Sequence, residues 1–309
     1  MILSCGEALI DMVPDTTANG TAAFVPHSGG AVLNTAVALG RLGVPSGFFA
    51  GLSTDMFGAQ LMAHLDASHV SHALCPRSDA PSTLAFVQLV NGQAKYAFFD
   101  ENTALRGLAP SDIPALPDDI DALFFGGISL AYGACADTYE TMMTTAAATH
   151  VTMIDPNIRP GFIRDEAAFR ARLDRMIAAA DIVKLSDEDL AWLSGSDDIA
   201  PAARALLARG PKLVLITQGA EGATAYHASH EVFVPATPVD LSASDTIGAG
   251  DTFNAGALAH LHRAGALAKD ALAAADDALL RGTLDLAIRA AAVTVSRKGA
   301  NPPWASELD

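Results

Sequence analysis

The stretch Asp245-Thr246-Ile247-Gly248-Ala249-Gly250-Asp251-Thr252-Phe253 combines the parts of an anion cradle with those of a base. Gly248, Ala249 and Gly250 are small and lead into an apolar helical run through Phe253, Ala257, Leu258 and Leu261. Backbone N–H groups at a helix N-terminus, with no side chains in the way, suit phosphate oxygens. Asp251 falls in the first helical turn, where a carboxylate is favoured and could take a proton from a hydroxyl held beside a phosphate. These parts suggest phosphoryl transfer to an alcohol. A Gly-rich turn followed by Asp is also how an ordinary loop ends in an N-cap, and this stretch alone leaves both readings open.

The rest of the chain supplies the elements that must hold such a site. A short strand at 2–4 ends near Gly6, and Gly29-Gly30 opens an apolar helix over about 31–42 that Gly43 closes. Further elements are a strand near 48–51 and a helix over 57–65. Beyond residue 120, strands at 122–125, 151–154, 182–185 and 213–217 alternate with helices at 136–148, 166–179, 187–194 and 201–209, and Ala-rich helices fill 264–292. This is the rhythm of an α/β, doubly wound, mainly parallel sheet flanked by helices. Ligands in such sheets bind at the carboxyl ends of the strands, where Asp155, Asn157, Arg159, Lys184, Ser186, Thr217 and Gly219 fall.

One region breaks the rhythm. Runs at 84–90 and 94–99 flank Asn91-Gly92, a hairpin signal. Two strands need support from more, and residues 12–27 could supply it. The expected organisation is a small β-sheet lid from 12–28 and 80–103 on an α/β domain formed by 1–11, 29–79 and 104–309.

Composition excludes several functions. The chain has 309 residues and a formal net charge of −16, which argues against nucleic acid and anionic membranes as partners. Cys5, Cys75 and Cys135 are widely spaced with no CxxC, which fits a reducing cytoplasm better than a disulfide framework or zinc site. The start is not a signal peptide, and no uncharged apolar run is long enough to span a membrane. GxxxxGK[ST], an early GxGxxG and the protein-kinase motifs are all missing.

The motifs present resemble those of the PfkB/ribokinase-like carbohydrate kinases, and among them the fructokinases. They occur in family order across nearly the whole chain: Gly6-Glu7 with Asp11, Gly29-Gly30 with Asn34, Asp155-Pro156-Asn157 with Arg159, Thr217-Gln218-Gly219 with Gly222, the Asp245–Asp251 block, and Arg297-Lys298-Gly299-Ala300. The resemblance implies a ribokinase-like fold and ATP-dependent phosphorylation of a sugar. Asp251 would be the base on a primary hydroxyl, and Gly248, Ala249 and Gly250 the anion hole for the γ-phosphoryl. Asp11, Gly29, Gly30 and Asn34 would hold sugar hydroxyls. Arg159 would reach the phosphoryl groups or the substrate. Lys184, Ser186, Thr217, Gly219 and Gly222 would line the ATP site, although Gly222 reads equally as a turn residue. Mg²⁺ would be held through water by Asp189 and Glu188; Ser186-Asp187-Glu188-Asp189 stands where the family carries an Asn-x-x-Glu element, with Asp189 in place of the longer Glu. Asp245 and the Ile247 carbonyl are the implied ligands of a K⁺-like ion.

The lid suggests which sugar. Phe98 could stack on an apolar sugar face or belong to the lid core. Asp100 and Glu101 stand where relatives acting on 2-keto-3-deoxygluconate tend to carry Arg, so an acidic pair there would disfavour a sugar acid; alternatively both simply face solvent. D-Fructose is the expected substrate. A 2-keto-3-deoxygluconate kinase, a ribokinase or nucleoside kinase, and a non-catalytic sugar or nucleotide sensor are the alternatives. An open lid edge suggests a homodimer.

Overall fold

The computed structural model describes residues 1–90, 93–239 and 246–308, and the side chains of all of these except 88–90 and 93–96. In chain order the first half contains β1 (Ile2–Cys5), β2 (Leu9–Thr16), β3 (Ala22–Gly29), α1 (Ala31–Arg41), β4 (Ser46–Phe49), β5 (Leu52–Ser53), α2 (Met56–Asp66), β6 (Val70–Ser71), β7 (Arg77–Ser78), β8 (Leu84–Val90) and β9 (Gln93–Phe99). The second half contains β10 (Ala122–Gly126), α3 (Gly133–Ala146), β11 (Val151–Asp155), α4 (Glu166–Ala179), β12 (Ile182–Ser186), α5 (Asp187–Ser194), α6 (Ile199–Leu207), β13 (Leu213–Thr217), β14 (Gly222–His227), β15 (Glu231–Pro235), α7 (Ala249–Arg263), α8 (Lys269–Ala273) and α9 (Asp277–Val295).

Among the described residues the main sheet has nine strands in the order β15-β14-β13-β12-β11-β10-β1-β4-β6. From β6 through β13 all neighbours run parallel, and β14 and β15 extend the sheet antiparallel. Both faces are buried, as a parallel sheet requires. Along each strand alternate residues serve opposite sides. Ile2, Phe124, Met153 and Leu215 pack under α1, α7 and α9, while Leu3, Phe125, Ile154 and Val214 pack under α3, α4 and α6. The chain leaves β1 toward β4 and β6 on one side and builds β10 to β13 on the other. The strand order therefore reverses between β1 and β10, and the crevice at their carboxyl ends is where a ligand is expected.

The expected strand near 48–51 is found two residues earlier, at Ser46–Phe49. The antiparallel pair β14–β15 was not anticipated. Its turn signals are weak, and its run of buried residues does not show which way the strand points.

A separate four-stranded sheet, β3-β2-β8-β9, takes in the segments expected to form the lid. Its first strand starts at Leu9, so Asp11 sits within it. Directly paired residues share a face, and the register places His27, Asp11, Ala85 and Phe98 in one row across the sheet. The adjacent row is Pro26, Met12, Phe86 and Ala97, on the opposite face. The Asn91-Gly92 turn signal lies outside the described residues.

Candidate active site

Helix α7 begins at the reversal point, and Asp251 sits in its first turn with only 6% exposure. Burial is the main reason its carboxyl is pushed up to about 7, and neighbouring Asp155 and Glu7 push the same way. Two groups of α1 hold it: Asn34 Nδ2 donates to Asp251 Oδ2 (2.9 Å), and Thr35 Oγ1 donates to the Asp251 carbonyl (3.2 Å). A buried carboxyl poised near neutrality is suited to taking up a proton.

Gly248 caps α7 in the left-handed region, at φ 76°. A Cβ there would lie 2.7 Å from Ala300 Cβ, so the turn depends on glycine twice over and the Arg297–Ala300 motif closes against it. The Ala249 N–H already donates to the Thr246 carbonyl (3.3 Å), so this member of the expected anion hole has an acceptor within the protein. A Cβ at Gly250 would come within 3.2 Å of Lys184 Nζ, which places the ammonium directly beside the glycine turn.

Lys184 is itself buried and pairs with Asp155 (Nζ to Oδ2, 3.0 Å). The Asn157 N–H donates to Asp155 Oδ1 (3.2 Å), and Asn157 adopts φ 45°, which turns the chain sharply after β11. Arg159 follows on this turn and is exposed. Asp189 approaches the same turn from α5: its Oδ1 accepts the Ile158 N–H (3.1 Å). Burial, then the Asp155 charge, pushes the Asp189 carboxyl up to about 6. Ser186 is the N-cap of α5 and accepts the Asp189 N–H (3.0 Å). In a capping box the third-position carboxylate turns back to the cap; here Asp189 reaches across to Ile158 instead. Glu188, one position earlier, is exposed on the helix.

The residues expected to hold the sugar come from α1 and the small sheet. Burial pushes the Asp11 carboxyl up to about 6. A Cβ on Gly29 would overlap Asp11 Oδ2, and one on Gly30 would meet the Glu7 carbonyl at 2.8 Å. Both glycines thus make room for acidic neighbours. Glu7, buried at the reversal point, accepts from Ala31 N (3.0 Å) and Ser129 N (3.2 Å), fixing the first turn of α1 where no N-cap side chain does so. Phe98 lies edge-on to Phe162 at 4.2 Å, joining the lid to the turn after β11.

Thr217 and Gly219 lie at the end of β13, next to the end of β12. Gly222 belongs to the β13–β14 turn: it has φ 135°, accepts from Gln218 N (2.8 Å), and a Cβ would meet the Val234 carbonyl at 2.2 Å. That geometry explains the glycine by chain packing. Ile247 is half-exposed beside the turn, and Asp245 lies outside the described residues. Among the described residues no group of three or more acidic, histidine or cysteine side chains could hold a metal, and no helix is long and apolar enough to cross a membrane.

The expectation for Asp100 needs correction. It is neither an open charge facing the substrate nor a solvent-facing residue. It is buried at 5% exposure, pairs with Arg106 (2.8 Å) and accepts from the Tyr132 hydroxyl (2.6 Å). Its charge is already neutralised, so it cannot select against an anionic sugar by repulsion. Tyr132 stacks between the Arg106 and Arg164 guanidinium groups, each 4.0 Å from the ring, and exposed Glu101 reaches Arg164 (3.5 Å). Residue types alone gave no sign of this cluster, because Arg106 and Tyr132 reach Asp100 from the connection after β9 and from beyond β10. Asn254 was also missed, although it lies one turn after Asp251 on α7, at the spacing that shares a helix face.

Comparison with known proteins follows the same lines. The pattern of the pfkB family carbohydrate kinases matches residues 1–307. A fructokinase of Rhizobium leguminosarum bv. trifolii is 50% identical over 285 residues, 92% of this chain and 87% of that protein. The crystal structure of a Xylella fastidiosa fructokinase with bound ATP superposes with a TM-score of 0.87 at 29% identity, covering 99% of this chain and 96% of the other. A fructokinase double mutant of Vibrio cholerae O395, bound to fructose, ADP and potassium ion, superposes with a TM-score of 0.84 at 26% identity, covering 97% and 93%.

Proposed function

The chain belongs to the pfkB family of carbohydrate kinases, and from that premise we propose that it transfers the γ-phosphoryl of ATP to a hydroxymethyl group of D-fructose. The observation that carries the reading is the buried Asp251, with its carboxyl near 7, in the first turn of α7 behind a glycine turn. Support for fructose over other sugars comes from the fructokinase relatives. The Asp100 charge no longer contributes to it.

The chemistry needs little beyond placement and charge stabilisation. Asp11 and Asn34 orient sugar hydroxyls with carboxylate and amide groups. Asp251 takes the proton of the attacking hydroxyl as its oxygen bonds to the γ-phosphorus and the bond to ADP breaks. The Gly248 and Gly250 amides and Lys184 face the charge that develops on the phosphoryl oxygens, and Arg159 meets them from the turn after β11. Ser186, Thr217 and Gly219 border the nucleotide's side of the crevice. Asp189 would hold Mg²⁺ through water, a common mode for this ion, and the ion would neutralise phosphate charge on the nucleotide. The Ile247 carbonyl would be one backbone oxygen for a K⁺-like ion, which takes such ligands.

The lid's outer face carries an edge-to-face row, Phe24–Phe86–Phe99, with Phe24 46% and Phe99 62% exposed. A second copy of the chain is the partner assigned to this face. The three unpaired cysteines suit a reducing cytoplasm.

The test is ADP release with Mg-ATP, with and without K⁺, against D-fructose, ribose, 2-keto-3-deoxygluconate, adenosine and fructose 6-phosphate. Turnover selective for fructose is expected. Preference for 2-keto-3-deoxygluconate would keep the chemistry and overturn the substrate.

A further inference from the structure

Asp155 gathers donors from three elements: Lys184 Nζ from β12 (3.0 Å), the Asn157 N–H from its own turn (3.2 Å) and Asn254 Nδ2 from α7 (2.7 Å). Asn254 is 1% exposed, and its Oδ1 has no donor among the described residues, so the bond to Asp155 is the hydrogen bond its side chain makes there. We propose that Asn254 is a positioning residue for phosphoryl transfer: by bonding Asp155 it fixes the Asp155–Lys184 pair, and with it the place of the Lys184 ammonium beside Gly250. This rests on the kinase reading above.

The argument is one of competition. Lys184 is a flexible side chain with carboxylates on more than one side. Its charge acts on both Asp251 and Asp189 as well as on its partner Asp155. An ammonium that swung to Asp251 would hold that carboxylate ionised and paired, and so weaken it as a base. It would also leave the glycine turn. Asn254 counters this by anchoring Asp155 to the same helix that carries Asp251, three residues away. Base, glycine turn and ammonium then move as one body. Catalytic groups need placing to within a fraction of an ångström, and a shift of about 1 Å can cost on the order of 100-fold in rate.

The experiment compares the native chain with Asn254→Leu, Lys184→Met and the double variant. Asn254→Leu replaces the amide by an apolar group of similar size; it removes a buried oxygen that lacks a donor and also one bond to Asp155, whose Oδ2 keeps Lys184, so the melting temperature should fall by no more than about a few degrees. The expected result for fructose is a kcat lower by roughly 10- to 100-fold with KM for the sugar unchanged. Calorimetric affinity for a non-hydrolysable ATP analogue should fall while affinity for ADP stays. In the Lys184→Met background Asn254→Leu should do nothing more, because it acts through the lysine. An unchanged kcat in Asn254→Leu, or losses that multiply in the double variant, would overturn the proposal. A native protein with no sugar-dependent ADP release would count against the kinase reading instead, and the ratio of analogue to ADP affinity would still test the role of Asn254. Should leucine prevent folding, Asn254→Ser supplies the same comparison.

Discussion

Asp251→Asn should make the protein more stable, and increasingly so as pH rises. In the folded chain the Asp251 carboxyl is raised from an ordinary 3.8 to about 7, chiefly by burial. Between those two values the native state binds more protons at this position than the unfolded state does. Stability contributed by this group is therefore full below the unfolded pKa and lost as pH rises toward the folded one. At about 1.4 kcal/mol per pH unit, the ionised carboxylate destabilises the native state by roughly 1 kcal/mol at pH 4.5 and about 4 kcal/mol at pH 8. Asparagine is neutral throughout and can still accept the Asn34 bond, so the variant avoids this loss. For a chain of 309 residues the melting temperature of the variant should exceed the native one by about 1–2 °C at pH 4.5 and about 6 °C at pH 8. Scanning calorimetry of both proteins without ligand, across that range, measures the difference. A gap that does not grow with pH, or a variant less stable at pH 8, would refute the claim that burial holds this carboxyl near neutrality.

Three further outcomes follow from the same geometry. The base must be ionised to act, so kcat/KM for the sugar should fall about tenfold per unit as pH drops below about 7; a flat profile from pH 5.5 to 8 would remove Asp251 from that role. Arg106→Met strands the buried Asp100 charge and should cost about 3–5 kcal/mol in denaturant unfolding, most of it recovered with Asp100→Leu; a loss that stays the same in the double variant would show the pair is not the cause. Phe99→Glu places a charge on the lid's aromatic row and should shift a dimer to monomer in analytical ultracentrifugation, while a native chain that is already monomeric would dismiss the partner assigned to that face.

The parallel strands and the motif at 245–251 were legible because each rests on local chemistry. Short apolar runs between helical periods make strands such as Val151–Asp155 plain, and a helix entered through glycines predicts where Asp251 stands. The family motifs likewise marked Asp11 and Asn34 by their order along the chain, and the resemblance added Lys184. What sequence did not reveal depends on long-range closure. Asp100 looks like a free lid charge until Arg106 and Tyr132 are brought to it. The packing need for glycine at Gly222 shows only when β15 lies against it. Asn254 and Glu7 gain meaning only when α7 and α1 meet at the strand reversal and their bonds to Asp155, Ala31 and Ser129 can be seen.

The central claim is that Asp251 and the glycine turn of α7 pass a phosphoryl group from ATP to fructose. Incubating the native chain and Asp251→Ala with Mg-ATP and D-fructose, and following the phosphorus resonances, tests it most directly. The account predicts a fructose phosphate ester and ADP from the native chain, and a rate lower by at least about 100- to 10,000-fold in the variant with ATP affinity by calorimetry retained. A variant that phosphorylates fructose at near the native rate would contradict it.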